Sequence, residues 1–579
     1  MKAWPKFGAF LLLACATAGS VWAQEATSNA TSNNTSNIDQ LADRINAREQ
    51  KEVAAIRQYN PLIETYIQDM KPNPELGSVP VKDHYYLGVA DFSKRIVDRS
   101  LLGKGKPGLN FSPLSHLADF WTSGYDPAGF LQMVFIDPSG LDRGHYHFEY
   151  VRREFLGEVR CIVVDVTPLP KSGKGRFKGR IWVSDQDYAI VRFNGVFTPI
   201  SSYSGYNVHF DSWRTNLRPG VWMPTYIYSQ ETAFKENLGG TIRFKSQTRL
   251  WGYDIKGIGH ESDFTELTVE APGAVQDQAA ATQDPSPVEA ERKWQHEAED
   301  NVLDRLQRSG LLAPPGPVDK VLATVVNNIE VTNNLDVQPE IRCRVLLTST
   351  LESFSIGHTI VISRGLLDVL PDEASLATML AEQMGTIIVT KPQTDQWGFN
   401  DLTNIPTTEI MARLTFHDTP HDLDLANQKA LELLEKSPYK DKLANAGLFL
   451  KQLDAEEKAL PSLINPKLGN RVFLSDKLVA NSPQLEAGKL DQIAALPLGG
   501  RIKVDPWNDR IEMVKNAPVA LISEREKMPF EVTPFQPFLT YYKPGTGNGA
   551  PTENKDAVAK TQPDGSAPQQ PSQPQAQPQ

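Results

Sequence analysis

Ten histidines are spread over 579 residues, and two pairs of them lie close enough in sequence to share a metal ion. His417 and His421 stand four apart, the spacing at which two imidazoles on one helix face reach one zinc ion. Pro420 falls between them. Thr419-Pro420 reads as an N-cap and a first helical residue, with Asp422 in the dipole-favoured first turn. His417 then precedes the helix, and the two rings need not share a face. His145 and His147 alternate on a strand and point to one sheet face, without an obvious third ligand. Both pairs are expected to be structural. Of the three cysteines, Cys15 lies in the N-terminal leader, so Cys161 and Cys343 remain as two free buried thiols; two thiolates do not make a zinc site.

The most informative stretch is 341–390. Arg344 to Thr348 and Thr359 to Ser363 read as strands. Arg364-Gly365-Leu366-Leu367 turns into a helix from Asp372 to Val389, with Ala377, Leu380, Ala381, Met384 and Ile388 as its apolar stripe. The run Leu376 to Thr386 resembles the zinc-binding helix of the HtpX/BepA-type metallopeptidases (gluzincins), with the register set by Leu380-Ala381 and Gly385. In that family two histidines four apart hold zinc, and a glutamate after the first takes a proton from the bound water. Here those positions carry Glu382, Gln383 and Thr386. An amide accepts no proton near neutral pH, and a neutral hydroxyl is a very weak zinc ligand. The family's third ligand, a glutamate on a later helix, falls on Leu423, beside Asp422 and Asp424. The resemblance thus implies a degenerate site: no catalytic residue, no metal and no cofactor. Glu382 is expected to be a solvated helix residue. The alternative is a zinc-dependent endopeptidase with an altered site, using Glu382 with Asp422 or Asp424.

These positions need elements to hold them. From about residue 85 to 269 the pattern is strands: His145–Arg153, Val159–Val166, Phe177–Val183, Ala189–Phe197, Val221–Gln230 and Thr241–Trp251 are rich in β-branched and aromatic residues, and Ser184 to Asp187 reads as a hairpin. Such a meander curls or closes to hide its edges. Arg160 to Pro168 and Gly179 to Val183 resemble segments of the LolA/LolB-like lipoprotein carriers, whose unclosed barrel binds acyl chains. The resemblance makes Phe177, Trp182, Phe193 and Trp222 candidate ligand-binding residues, with Phe197 and Tyr226 beside them; a filled core is the other reading of the same aromatics.

The expected architecture is multidomain α+β: an antiparallel unclosed-barrel-like domain, a mostly helical metallopeptidase-like domain, and a small C-terminal β unit. The boundaries follow composition. Residues 1–23 read as a signal peptide cut after Ala23, with lipidation at Cys15 as the alternative. Residues 24–38 are Ser/Thr/Asn-rich and expected without structure, 39–84 form a helical lead-in in which Tyr59 to Asp69 is helix-compatible, and 85–269 form the β domain. A linker follows at 270–287, a helix at 288–317, the metallopeptidase-like domain at 318–461, a β-containing unit at 462–542 and a disordered Pro/Gln-rich tail at 543–579. The formal net charge of −11 argues against a nucleic-acid partner, and no stretch after the leader is apolar enough to span a membrane. The expectation is an exported protein of the periplasm or outer-membrane periphery, binding lipoprotein, lipid or unfolded outer-membrane polypeptide.

Overall fold

The computed structural model describes residues 20–74, 77–93, 97–101, 125, 127–198, 208–232, 242–254, 287–390, 416–472, 476–484, 498, 500–514, 530–534 and 538–543. Most of the expected leader and linker, and the expected tail beyond Lys543, lie outside these residues.

The first half is built on one antiparallel sheet of ten strands: β1 (Leu62–Asn73), β2 (Gly77–Asp91), β3 (Val97–Ser100), β4 (Tyr146–Leu156), β5 (Val159–Pro168), β6 (Phe177–Ser184), β7 (Ile190–Phe197), β8 (Val208–Arg218), β9 (Val221–Thr232) and β10 (Ile242–Trp251). Their spatial order is β3-β2-β1-β10-β9-β8-β7-β6-β5-β4. Neighbours in sequence pair directly, and the pairing of β1 with β10 joins the first strands to the last. β3 and β4 end the sheet, and among the described residues they do not pair with each other, so it stays open, as the lipoprotein-carrier resemblance implies.

β1 corrects the sequence reading. Leu62–Asn73 is a strand where helix is expected. Its even and odd positions face different layers, and both layers are buried. Ile63 and Ile67 belong to one core, and Leu62 and Tyr66 to another. Glu64, Thr65 and Gln68 are also buried, so the strand lacks the apolar–polar alternation of a sheet with one wet face. The helix Ser20–Ile56 also runs through residues expected to lack structure; no Gly or Pro interrupts it.

The two faces of the sheet carry two cores. One lies under helix Ser20–Ile56 and the segment of Phe130 to Ile136, with Ala42, Ile45, Ile56 and Phe135 packed on Ile181, Phe193 and Phe210. The other is shared with the second half of the chain: Trp182, Trp213 and Trp222 belong to the same cluster as Val302, Leu306, Phe354 and Phe530. Hydrogen bonds cross this junction, including Trp251 Nε1 to the Gly310 carbonyl at 2.8 Å.

The second half is mostly helical around a four-stranded sheet of β11 (Arg342–Leu346), β13 (Thr359–Ser363), β12 (Glu352–Ile356) and β14 (Asn470–Arg471), in that spatial order. Helices Pro317–Asn333, Glu373–Val389, Pro420–Glu435 and Leu443–Glu456 accompany it. A small hairpin of β15 (Ile502–Val504) and β16 (Ile511–Met513) follows. Among the described residues no helix is long and apolar enough to cross a membrane.

Candidate functional site

Helix Glu373–Val389 begins where Asp372 caps it, accepting from the Ser375 backbone N–H at 2.8 Å. It crosses helix Pro420–Glu435 at Gly385, where an added Cβ would stand 2.2 Å from the Ala426 carbonyl oxygen. That close crossing buries the face that carries Glu382, Gln383 and Thr386. Glu382 is 4% exposed, Gln383 0% and Thr386 3%. Glu382 is therefore not the solvated residue expected from sequence: the second helix, packed against Gly385 on the same side, covers it. Gln383 Nε2 donates to Ser353 Oγ of β12 at 3.1 Å, and its Oε1 has no partner. The Thr386 hydroxyl leans back to the Glu382 carbonyl at 3.4 Å. Leu423 is half-buried, and its carbonyl accepts from Asn427 Nδ2 at 2.6 Å.

The histidine pairs do not converge. Thr419 caps helix Pro420–Glu435, with its side chain accepting from Asp422 N, so His417 lies before the helix and contacts the Lys467 carbonyl. His145 precedes β4 instead of lying on it, with Nδ1 2.8 Å from Asp142 Oδ2. Among the described residues no group of three His, Cys, Asp or Glu side chains is placed to hold a metal ion. Cys161 and Cys343 are free and buried, and burial pushes both thiols up to about 12.

The four aromatics expected to line one cavity are divided between the two faces. Phe177 and Phe193 lie on the face under helix Ser20–Ile56, with ring centroids 5.9 Å apart, and Phe197 and Phe210 complete their cluster. Trp182 and Trp222, like Tyr226, lie on the face toward the second half. The period of two along a strand requires this split: Phe177 and Trp182 sit an odd number of residues apart on β6. The Trp182 ring carries the Arg192 guanidinium at 4.2 Å, and that guanidinium also faces Trp213 at 4.4 Å.

Sequence reasoning misses the polar junction between the two halves. Glu64 on β1 is 1% exposed. Its carboxylate accepts from Ser349 N and Oγ, from Arg364 Nη2 and from the Tyr85 hydroxyl. Beside it, Asp83 accepts from Ser462 N and Leu463 N at 2.8 Å each. Between these contacts lies a pocket of about 210 Å³ bounded by Tyr85, Leu87, Thr348, Thr350, Glu352, Ser462 and Leu468, with Pro461, Asn465 and Lys467 at its rim. Glu352 accepts from the Thr348 and Thr350 hydroxyls and from the Gly469 N–H. Burial holds its carboxyl above the usual carboxylate range against those donors. The run Thr348-Ser349-Thr350-Leu351-Glu352, polar between two apolar strands, is the sequence signal that marks this place.

No protein-family model matches the chain, and no curated protein matches it. Among solved structures, a DUF1329 family protein from Desulfovibrio piger is similar over 38% of this chain and 93% of its own, at 10% identity and a TM-score of 0.20. A LolA superfamily protein from Nitrosomonas europaea is similar over 35% and 90%, at 15% identity and a TM-score of 0.17. The MucA/MucB complex structure from Pseudomonas aeruginosa matches over 36% and 94%, at 10% identity and a TM-score of 0.14.

Proposed function

We propose that this chain is a non-catalytic binding protein of the cell envelope. Its open sheet takes the acyl chain of a lipid or lipoprotein. Its metallopeptidase-like half serves as a recognition module for polypeptide. The observation that carries the non-catalytic reading is Gln383: an amide, fully buried, stands where the resemblance asks for a general base, and its N–H is committed to Ser353. Support for the lipid-handling half is the apolar face under helix Ser20–Ile56, on a sheet whose end strands do not close over it.

Two measurements test the proposal. Purified chain is expected to carry no stoichiometric zinc and to leave unfolded protein uncut; one zinc per chain, together with cleavage, overturns the non-catalytic reading. Titration with fatty acids of increasing length is expected to give affinity that rises by up to about 0.8 kcal/mol per methylene and then levels off. Trp182 and Trp222 lie on the other face, so the reporter is Trp507, which packs against the helix-covered core. Absence of binding at every length, or binding indifferent to length, removes the lipid-handling half.

A further inference from the structure

The junction pocket is unusual in the hydrogen-bonding character of its buried wall. Thr348, Thr350 and Glu352 are at most 4% exposed. A threonine hydroxyl has one hydrogen and two lone pairs. Both threonines have Glu352 Oε1 within reach of that hydrogen. The Tyr85 hydroxyl donates to Glu64 at 2.8 Å. The Gly469 N–H is committed to Glu352 Oε2 at 2.9 Å, and the half-buried Ser462 donates both its N–H and its hydroxyl to Asp83. What remains on this wall is lone pairs and carboxylate charge. Leu87 and Leu468 supply apolar surface beside it, and the lining cation, Lys467, is exposed at the rim.

We infer that this pocket binds a primary ammonium group at the end of a short aliphatic arm, of the kind a lysine side chain of a bound polypeptide presents. Three N–H donors on one small cation match a wall of acceptors, and the methylenes of the arm cover Leu87 and Leu468. An anion meets repulsion from Glu352 without a buried donor to offset it. A neutral alcohol satisfies one acceptor and leaves the carboxylate charge unanswered. An aminolipid headgroup fits less well than lysine, because its phosphate follows the ammonium by two carbons and would enter the same acceptor-lined wall. The pocket lies between the two halves of the chain, in contact with β2, with the 348–352 segment and with 461–468, so an occupant touches both. This site is separate from the acyl-binding face, which lies on the opposite side of the sheet.

The test uses the full chain and calorimetric titration with n-butylammonium, n-butanol, Nα-acetyl-lysine methylamide and phosphoethanolamine. The expected result is one site for butylammonium and for the lysine compound, weakened by salt, with no binding of butanol. Glu352→Gln keeps the shape and removes the charge, and is expected to lower the affinity at least tenfold. Lys467→Ala alters only an exposed rim residue, so it reports even if the first variant does not fold; removing that cation is expected to raise ammonium affinity about two- to fivefold, by the screened Coulomb interaction across a few ångströms. Butanol binding as tightly as butylammonium, affinity unchanged by Glu352→Gln in a folded variant, or affinity that falls in Lys467→Ala overturns the ammonium site. Phosphoethanolamine binding more tightly than the lysine compound overturns the lysine assignment.

Discussion

Asp509 shows how one residue ties the small C-terminal hairpin to the pH response of the molecule. Burial first, then the neighbouring Asp505 and Asp254, pushes its carboxyl up to about 8, although it accepts from the Gly252 N–H. One of its oxygens, Oδ1, is buried without a partner. Between the ordinary carboxyl range near 4 and about 8 the native state therefore holds a proton that the unfolded chain has released. Stability from this group is fully present at acid pH and is lost as pH rises through that window, by at most about 1.4 kcal/mol per pH unit. Asp509→Asn removes the ionisation, and asparagine tolerates the left-handed backbone at this position, where φ is 60°. Urea denaturation in steps from pH 4 to 9 is expected to show a flatter profile for the variant, with its largest gain over the parent at pH 8 and above. Identical slopes for the two proteins would remove Asp509 as their source.

At the scale of elements, helix Ser20–Ile56 is fixed to the sheet by a charge pair in the interior. Glu49 is 3% exposed and Arg214 of β8 is 0% exposed, and they meet in two hydrogen bonds of 2.6 and 2.7 Å. Glu52 adds a contact to the Trp222 N–H. Removing one member leaves an uncompensated buried charge, so Glu49→Ala is expected to cost about 3–5 kcal/mol in chemical denaturation. The apolar double variant Glu49→Leu, Arg214→Met is expected to recover most of that loss. A single variant that costs less than about 1 kcal/mol would mean that apolar packing alone holds the helix. The same pair explains what the sequence concealed. β5, β6, β7, β9 and β10 are legible because β-branched and aromatic residues dominate them. β8 carries Asp211, Ser212, Arg214 and Asn216 in buried positions, and β1 carries Glu64 and Gln68; polar residues that bond across layers erase the pattern on which strand reading depends. The cap at Thr419 and the grouping of Glu382, Gln383 and Thr386 are local in sequence and were readable. The junction pocket draws on residues 85–87, 348–352 and 461–468, and no local pattern joins segments so far apart.

Over the whole molecule, the last described segment holds the halves together. Gln68 on β1 grips it by both amide atoms: Nε2 donates to the Phe530 carbonyl at 2.7 Å, and Oε1 accepts from the Val532 N–H at 2.9 Å. A side-chain amide thus does what a neighbouring strand would do for an extended chain. Lys245 of β10 pairs with Glu531, both side chains being under a tenth exposed. Further along, the Glu158 N–H donates to the Leu539 carbonyl at 2.8 Å, and the Tyr542 N–H donates to Asn216 Oδ1 at 2.8 Å. Phe530, Val532 and Leu539 belong to the core shared by the sheet and the second half. At about 1.5–3 kcal/mol for each buried apolar side chain, their loss is large against the 5–15 kcal/mol that stabilises an ordinary domain. Ending the chain after Lys543 leaves every one of these contacts in place, and its melting temperature is expected to match that of the full chain. Ending it at residue 529 removes them all and uncovers Gln68, Lys245 and the tryptophan-bearing face of the sheet. That shorter chain is expected to unfold at markedly lower temperature or to aggregate, and Glu531→Gln with Gln68→Ala in the full chain is expected to move the melting temperature part of the way. Equal melting temperatures for the chains ending at 529 and at 543 would show that the two halves need no such strap.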